Sequence, residues 1–123
     1  MKTESTVYIL SKQFALRIIK LYKFLTEEKH EHVMARQIYR SGTSIGANFA
    51  EGKFASSRAD YLNKMRIALK EANETLYWLE LLRESDYIKS KEFDSLSNDL
   101  KTIIGTTVNI INKVKENNKI IIT

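Results

Sequence analysis

The sequence contains no cysteine and no proline, and it has only four glycines and two histidines. The lack of cysteine excludes disulfides, thiolate catalysis and zinc or iron–sulfur sites ligated by cysteine. With only His30 and His32 available, we expect neither a histidine-rich metal site nor a cofactor. Because proline and glycine are the residues that interrupt helical hydrogen bonding, a proline-free chain with few glycines is typical of a helical protein.

The chain also lacks the long apolar segments that membranes require. No apolar run approaches the roughly 18 residues of a membrane-spanning helix. The N-terminus, MKTESTVYIL, lacks the long apolar core and the cleavage site of a signal peptide. Hydrophobic residues make up 43% and charged residues 28% of the 123 positions, which is typical of a globular protein with one core. We therefore expect a single cytoplasmic domain without membrane contact.

Apolar residues recur every three or four positions along most of the chain, which is the pattern of one buried helix face. Ser57 followed by Asp60 is similar to a capping box, and Gly52 offers a helix end. The pattern predicts four helices, at residues 6–26, 31–52, 57–84 and 90–117. Helices of this length with short connections favour an all-α, antiparallel up-down four-helix bundle. The tail Ile120–Ile122 is either a frayed end or a short β-prone segment.

Three of the four glycines lie in one segment, SGTSIGANFAEG, at residues 41–52. The segment lacks the lysine of a Walker phosphate loop and the spacing of a dinucleotide-binding loop, so we do not interpret it as a nucleotide site. Gly42, Gly46 and Ala50 lie four residues apart, and on a helix they form a ridge with almost no side chain. Such a ridge predicts that another helix packs closely against it.

Beside this ridge the same predicted helix carries a row of polar residues at helical spacing: Gln37, Arg40, Ser41, Ser44, Asn48 and Glu51. One interpretation of the row is an ordinary solvated face. The other is a partly buried row that forms hydrogen bonds with a neighbouring helix or subunit. The short and mostly uncharged side chains favour the second interpretation.

The third predicted helix carries more apolar surface than one core face needs. Beside its core residues runs a second set at heptad spacing: Tyr61, Ala68, Thr75 and Leu82. This set either forms an oligomer face, as surplus apolar surface often does, or contacts a second neighbour within one bundle.

Basic residues outnumber acidic residues by 20 to 15. The first helix has no acid between Glu4 and Glu27, and a helical wheel places four basic residues opposite its core stripe: Lys12, Arg17, Lys20 and Lys23. A face of this kind is either an ordinary solvated surface or a contact surface for the phosphates of RNA or DNA.

The segments QIYRSGTSIGANFAEG and YLNKMRIALKEANETLYWLELL resemble a four-helix-bundle family first noticed in intervening sequences of bacterial 23S rRNA genes. Accessory variability proteins of diversity-generating retroelements are relatives of that family. The matching positions are Gln37, Arg40, Ser44, Ile45, Asn48, Ala50, Glu51 and Gly52, followed by Ile67, Ala68, Glu71 and Glu74. The resemblance spans nearly the whole chain, most specifically residues 36–83, and it implies a homopentamer with a central pore. In the retroelement relatives, a basic surface binds reverse transcriptase and nucleic acid.

Two functions follow as hypotheses. The first is a homopentamer that associates with rRNA or another nucleic acid through its basic surface. The second is a protein-interaction module, for example a reverse-transcriptase accessory, with little nucleic-acid contact. We do not expect an enzyme, because Glu27 and His30 give a single ExxH spacing where a di-iron bundle needs two, and no nucleophile is paired with a base.

Overall fold

The computed structural model describes the backbone of residues 2–122 and the side chains of residues 4–117. It contains four α-helices: α1 (Lys2–Lys23), α2 (Val33–Gly52), α3 (Arg58–Glu84) and α4 (Ser90–Ile122). α1 continues directly into a single π-helical turn, Phe24–Glu28. Connections of four or five residues join the helices, and residues 2–122 contain no β-strand. The chain is therefore all-α with four helices, as the periodicity predicted.

The helices differ from the predicted ones mainly at the two ends of the chain. α1 begins at Lys2 rather than near residue 6, and α4 continues to Ile122 rather than ending near residue 117. The backbone of Ile120–Ile122 is thus helical rather than a β-strand, while the side chains of this tail lie outside the described residues. The predicted bounds follow the first and last periodic apolar residues, whereas helical hydrogen bonds continue beyond them.

Each helix turns one apolar face towards a shared core. Leu25 of the π-helical turn, Ile38, Leu79 and Leu100 are all fully buried there. α1 packs on α2, α2 on α3, α3 on α4 and α4 on α1, so every helix has two principal neighbours. This arrangement is that of a four-helix bundle. In the part of the chain that the structure describes, no helix is apolar over enough length to cross a membrane.

α3 begins with the capping arrangement that the sequence predicted. Ser57 has extended backbone, and its Oγ accepts a hydrogen bond from the backbone N–H of Asp60 at 3.0 Å. The Asp60 carboxylate accepts a second one, from the backbone N–H of Ser56 at 3.1 Å. The first bond occupies a backbone donor that the first helical turn leaves without a partner. The second holds Ser56, two residues before the helix, against that turn.

A buried carboxylate caps the N-terminus of α2. Glu31 is 8% exposed, and its oxygens accept hydrogen bonds from the backbone N–H groups of Val33, Met34 and Ala35 at 3.1, 2.9 and 2.8 Å. A negative charge is favourable at this end of a helix because the unpaired N–H groups there carry partial positive charge. Glu31 therefore fixes where the chain turns from the π-helical turn into α2.

The glycine ridge of α2 lies against α1. A Cβ atom added to Gly42 would lie only 2.8 Å from Cγ1 of Ile18, and one added to Gly46 would lie 3.5 Å from Cβ of Ser11. Ala50, the third residue of the ridge, is half-buried. The helix that approaches the ridge is thus α1 of the same chain, at a distance that leaves no room for a side chain at Gly42.

Candidate nucleic-acid interface

The four basic residues predicted on α1 do not share one free face. Lys12, Lys20 and Lys23 are exposed. Arg17 instead points to α4, where it forms an ion pair with Asp99 at 2.7 Å and donates a hydrogen bond to Ser95 at 2.8 Å. The prediction that all four basic residues point to solvent on one face is therefore wrong for Arg17. Arg17 directly precedes a fully buried isoleucine, so it lies at the edge of the core stripe, within reach of the next helix.

A cleft of about 760 Å³ opens where the end of α1 meets the connection between α3 and α4. Arg17 and Lys20 line it, whereas Lys12 and Lys23 do not. The remaining lining residues are Leu21 of α1, Phe24 of the π-helical turn, Lys29 just after it, and Asp86, Tyr87, Ile88, Lys89, Lys91, Glu92 and Ser95. The cleft therefore joins two segments of the chain that are about 60 residues apart in sequence.

The π-helical turn forms one wall of the cleft and presents an aromatic ring. The backbone N–H of Lys29 donates to the carbonyl of Phe24 at 3.3 Å, which closes the wide turn. Leu25 is fully buried in the core, while the neighbouring Phe24 remains 40% exposed. The Lys29 ammonium lies 5.7 Å from the centre of the Phe24 ring, within the range of a cation–π contact. Single π-helical turns are frequent at functional sites.

The opposite wall is built by the end of α3, which has the geometry of a Schellman motif. The N–H of Asp86 donates to the carbonyl of Arg83 at 3.0 Å, and the N–H of Tyr87 donates to the carbonyl of Leu82 at 2.9 Å. Asp86 has a φ of 67°, the left-handed conformation that this motif requires. The motif reverses the chain within a few residues, and Asp86 and Tyr87 both line the cleft.

The cleft is rich in positive charge. Five of its lining residues are basic: Arg17, Lys20, Lys29, Lys89 and Lys91. Only Asp86 and Glu92 are acidic. Among the described side chains, Lys20, Lys89 and Lys91 have no ion-pair partner. Their charges are thus available to an anion that enters the cleft.

Most of the cleft was not predicted from the sequence. Phe24, Lys29, Tyr87, Lys89 and Lys91 were not among the predicted site residues, because they lie at helix ends and outside the periodic stripes. The local signals were the basic and aromatic residues in KFLTEEKH and SDYIKSKE. Neither segment is unusual alone, and only the fold brings the two together.

The polar row on α2 is buried in its middle and exposed at its ends. Ser41 and Asn48 are buried, Ser44 is half-buried, and Gln37 and Glu51 are exposed. The side chains of Ser44 and Asn48 donate to backbone carbonyls of α2 itself. The row thus combines the two interpretations, with a solvated surface at its ends and a buried stretch between them.

Three members of the row contact α3: Ser41, Glu51 and Arg40. The hydroxyls of buried Ser41 and Thr75 lie 2.9 Å apart, and Thr75 also lies within hydrogen-bond distance of the carbonyl of Glu71. The exposed carboxylate of Glu51 forms a long ion pair with Lys64 at 3.7 Å. The neighbour of the row is therefore α3 of the same chain.

Arg40 joins α2 to α3 through a second polar cluster near the surface. Its guanidinium pairs with the carboxylates of Glu71, at 3.2 Å, and Glu74. The Glu74 carboxylate also accepts the indole N–H of Trp78 at 3.0 Å. The hydrogen bond from Trp78, together with the hydrogen bond and positive charge of Arg40, lowers the pKa of the Glu74 carboxyl below its ordinary value of 4.5. Glu74 in turn raises the pKa of Arg40. The cluster thus ties the two helices together.

The interpretation of the heptad set on α3 as an oligomer face is wrong for most of its residues. Ala68, Thr75 and Leu82 are fully buried in the core of the single chain. Tyr61 is half-buried, and its hydroxyl donates to Glu4 at 2.8 Å. The heptad set lies next to the core stripe, and the neighbouring helices cover it. Ala68, Thr75 and Leu82 thus belong to the contact with a second neighbour within one bundle.

Comparisons with known proteins found a family model and a solved structure that match the chain. A family model described as "23S rRNA-intervening sequence protein" matches residues 3–109. A crystal structure at 1.70 Å of a protein of unknown function from the S23 ribosomal protein family of Bacteroides thetaiotaomicron VPI-5482 is 52% identical. The match covers 89% of this chain and 98% of that one, with a TM-score of 0.88. No curated protein matches the chain.

Proposed function

The chain belongs to the 23S rRNA-intervening sequence protein family, and from this premise we propose that it is a non-enzymatic, homopentameric bundle that associates with RNA or DNA through a basic surface. The observation that carries the proposal is the cleft at the end of the bundle, where Lys20, Lys89 and Lys91 form no ion pair with any described side chain. The exposed Lys12 and Lys23 extend the positive charge along α1.

Electrostatics favours a polyanion as the ligand of this surface. Several ammonium groups that face one concave region add their fields there, and they release condensed counterions when they bind phosphates. Arg17 is already held in place by Asp99 and Ser95, so it loses little side-chain freedom on binding. The sequence is basic overall, with a formal net charge of +5, which attracts nucleic acid over longer distances.

The helix order supports an antiparallel bundle as the repeating unit. Along α1 and α2, the close pairs are Ser11 with Gly46 and Ile18 with Gly42. The residue number rises in one helix as it falls in the other, which is the order of antiparallel neighbours. The short connections favour the same arrangement for the other sequential pairs.

Self-association is supported by large apolar side chains that the single chain leaves exposed: Ile9, Leu16, Val33, Phe54 and Tyr77. Contiguous exposed apolar surface on a soluble protein usually marks an interaction site. Ile9 and Leu16 lie seven residues apart on α1 and so share one face. The family motifs imply that the assembly is a pentamer.

Nucleic-acid binding is tested with a fluorescent RNA and a fluorescent DNA oligonucleotide titrated with the protein at increasing salt. We expect affinity that falls steeply with salt, because phosphate contacts release counterions. The triple variant Lys20→Gln, Lys89→Gln and Lys91→Gln removes three free charges from the cleft. For a single strand, its slope of log affinity against log salt is expected to be shallower by about 2.

The matched control removes the same charge elsewhere, as Lys70→Gln, Lys113→Gln and Lys115→Gln on exposed parts of α3 and α4. It is expected to bind more tightly than the cleft variant. Asp86→Asn, which removes a negative charge and keeps a residue that tolerates left-handed backbone, is expected to strengthen binding. Absence of binding at low salt by the unmodified protein contradicts the proposed association.

The assembly has a separate test. Light scattering coupled to size-exclusion chromatography is expected to give five times the chain mass of 14.3 kDa. A monomeric mass at micromolar concentration contradicts the homopentamer, whatever the result of the binding experiment.

A further inference from the structure

The basic cleft also contains an aromatic surface that phosphate binding does not require. The Phe24 ring is 40% exposed within it, although burial in the core would stabilise a phenylalanine more. Tyr87 adds a second, half-buried ring from the opposite wall. Cations and aromatic rings that line one groove are the combination with which proteins bind single-stranded nucleic acid.

Base stacking distinguishes single strands from duplexes. Every base presents a flat π-face that stacks on an aromatic side chain, but in a duplex the neighbouring base pairs already cover that face. A ligand that uses Phe24 must therefore contain at least one base that is out of the stack. A cleft of about 760 Å³ lies within the range of pockets that hold small organic groups, so it can receive such a base.

Phosphate groups beside that base would meet the cations of both walls. Arg17 and Lys20 approach from α1, and Lys89 and Lys91 approach from the start of α4. α4 begins at Ser90, so the positive end of its dipole adds to the field at this wall. The acidic lining residues, Asp86 and Glu92, lie on the α3–α4 side. Asp99 of α4 already pairs with Arg17, so Lys20 supplies the positive charge of the α1 side.

Resting on the proposed function, we infer that the cleft takes an unpaired nucleotide of single-stranded RNA or DNA, with its base on Phe24 and its phosphates on the surrounding lysines. The site is thus selective for single strands, loops and bulges over uninterrupted duplex. Duplex binding uses only the electrostatic surface that both ligands share.

The test compares the variant Phe24→Leu with the unmodified protein. The probes are a short oligouridine, a short oligothymidine and a blunt duplex with the same number of phosphates, all at one salt concentration. Loss of the ring is expected to weaken single-strand binding by about tenfold, the effect of one lost stacking contact. Duplex binding is expected to change less than about twofold, because the lysines remain. A selective loss with either single strand supports the inference.

Tyr39→Leu is the matched control, because Tyr39 is an aromatic residue with nearly the same exposure, 39%, and does not line the cleft. It is expected to leave the binding of all three probes unchanged. Circular dichroism melting of each variant verifies the fold. A second measurement is independent of folding effects: an oligonucleotide with 4-thiouridine is crosslinked to the unmodified protein, and the crosslink is located by mass spectrometry. Crosslinks at Phe24 or Tyr87 support the inference, and crosslinks confined to other faces overturn it.

The results separate this inference from the proposed function. If the unmodified protein binds nucleic acid in a salt-dependent manner but Phe24→Leu affects all probes equally or not at all, only the unpaired-nucleotide inference is overturned. If the unmodified protein binds no probe at low salt, both the inference and the proposed association are overturned.

Discussion

Gly42 of α2 lies so close to Ile18 of α1 that a Cβ atom at this position would be 2.8 Å from Cγ1 of Ile18. Ile18 is fully buried, so its side chain must shift within the packed core if a methyl group is added at Gly42. One turn further along, a Cβ atom at Gly46 would be at an ordinary distance of 3.5 Å from Ser11. Two glycines of one ridge therefore have opposite tolerance for a side chain.

Gly42→Ala is expected to destabilise the fold by about 1–2 kcal/mol, because the overlap with Ile18 outweighs the gain in helix propensity. Gly46→Ala is expected to stabilise it by about 0.5–1 kcal/mol, since the added methyl group fits and alanine restricts the unfolded chain. Urea unfolding of both variants measures the two effects. Equal effects of the two substitutions would contradict the close approach at Gly42.

The buried cap of α2 gives a second prediction. Glu31→Ala leaves three backbone N–H groups without their partner and is expected to cost about 1–3 kcal/mol of unfolding free energy. Glu31→Gln keeps an acceptor but loses the charge, so its cost is expected to be smaller. The control is Glu28→Ala, at an exposed glutamate three residues away. If the two alanine variants unfold at the same denaturant concentration, the capping role is wrong.

The hydroxyl pair of Ser41 and Thr75 links α2 to α3 in the core. Thr75→Val and Ser41→Ala are each expected to cost about 1 kcal/mol, since each disturbs a buried hydrogen bond. The double variant is expected to cost less than the sum by about 0.5–1.5 kcal/mol, because it removes both partners together. A double-mutant cycle from chemical unfolding measures this coupling. Strictly additive costs would show that the two hydroxyls do not interact.

The Glu74 carboxyl is expected to make the stability of the fold depend on pH. Its pKa is lower in the folded chain than the ordinary value of 4.5, so its interactions stabilise the fold above the unfolded pKa. This stabilisation is lost as the pH falls through the folded-state pKa. The difference in unfolding free energy between the unmodified protein and Glu74→Gln is therefore expected to shrink as the pH falls from neutral to below that value.

Trp78 offers a direct signal for the same event, because it is the only tryptophan of the chain and donates to Glu74. Its emission is expected to change with a midpoint below pH 4.5 in the unmodified protein and to lose this transition in Glu74→Gln. Glu80→Gln, at an exposed position of the same helix, serves as the control. A midpoint that persists in Glu74→Gln would assign the titration to another group.

The sequence was sufficient to predict the four helices and the N-terminal cap of α3. Apolar spacing depends on the helical repeat alone, and the cap at Ser57 depends on residues within one turn, so both are local properties. The π-helical turn was not predicted, because the spacing from Leu21 to Leu25 fits an uninterrupted α-helix equally well. The cap on α2 was also missed, since Glu31 is one of three glutamates within EEKHE.

The candidate site was harder to predict because it depends on which helix lies beside which. A helical wheel gives the direction of Arg17 but not the presence of Asp99 next to it. The same limit applies to Thr75. Its position in the sequence is compatible with contact to a second copy of the chain, but in the structure α2 covers it. The cleft combines both difficulties, because its walls come from distant segments and its residues lie where the apolar spacing ends.

The contact between Arg17 and Asp99 spans 82 positions of the sequence, whereas the most extensive helix contacts join elements that follow each other along the chain. During folding, each hairpin of sequential helices closes only a short loop and loses little chain entropy. The joining of α1 to α4 must close nearly the whole chain, so we expect it to be the slow event. The edge of the basic cleft would then be completed last, after the three hairpins have formed.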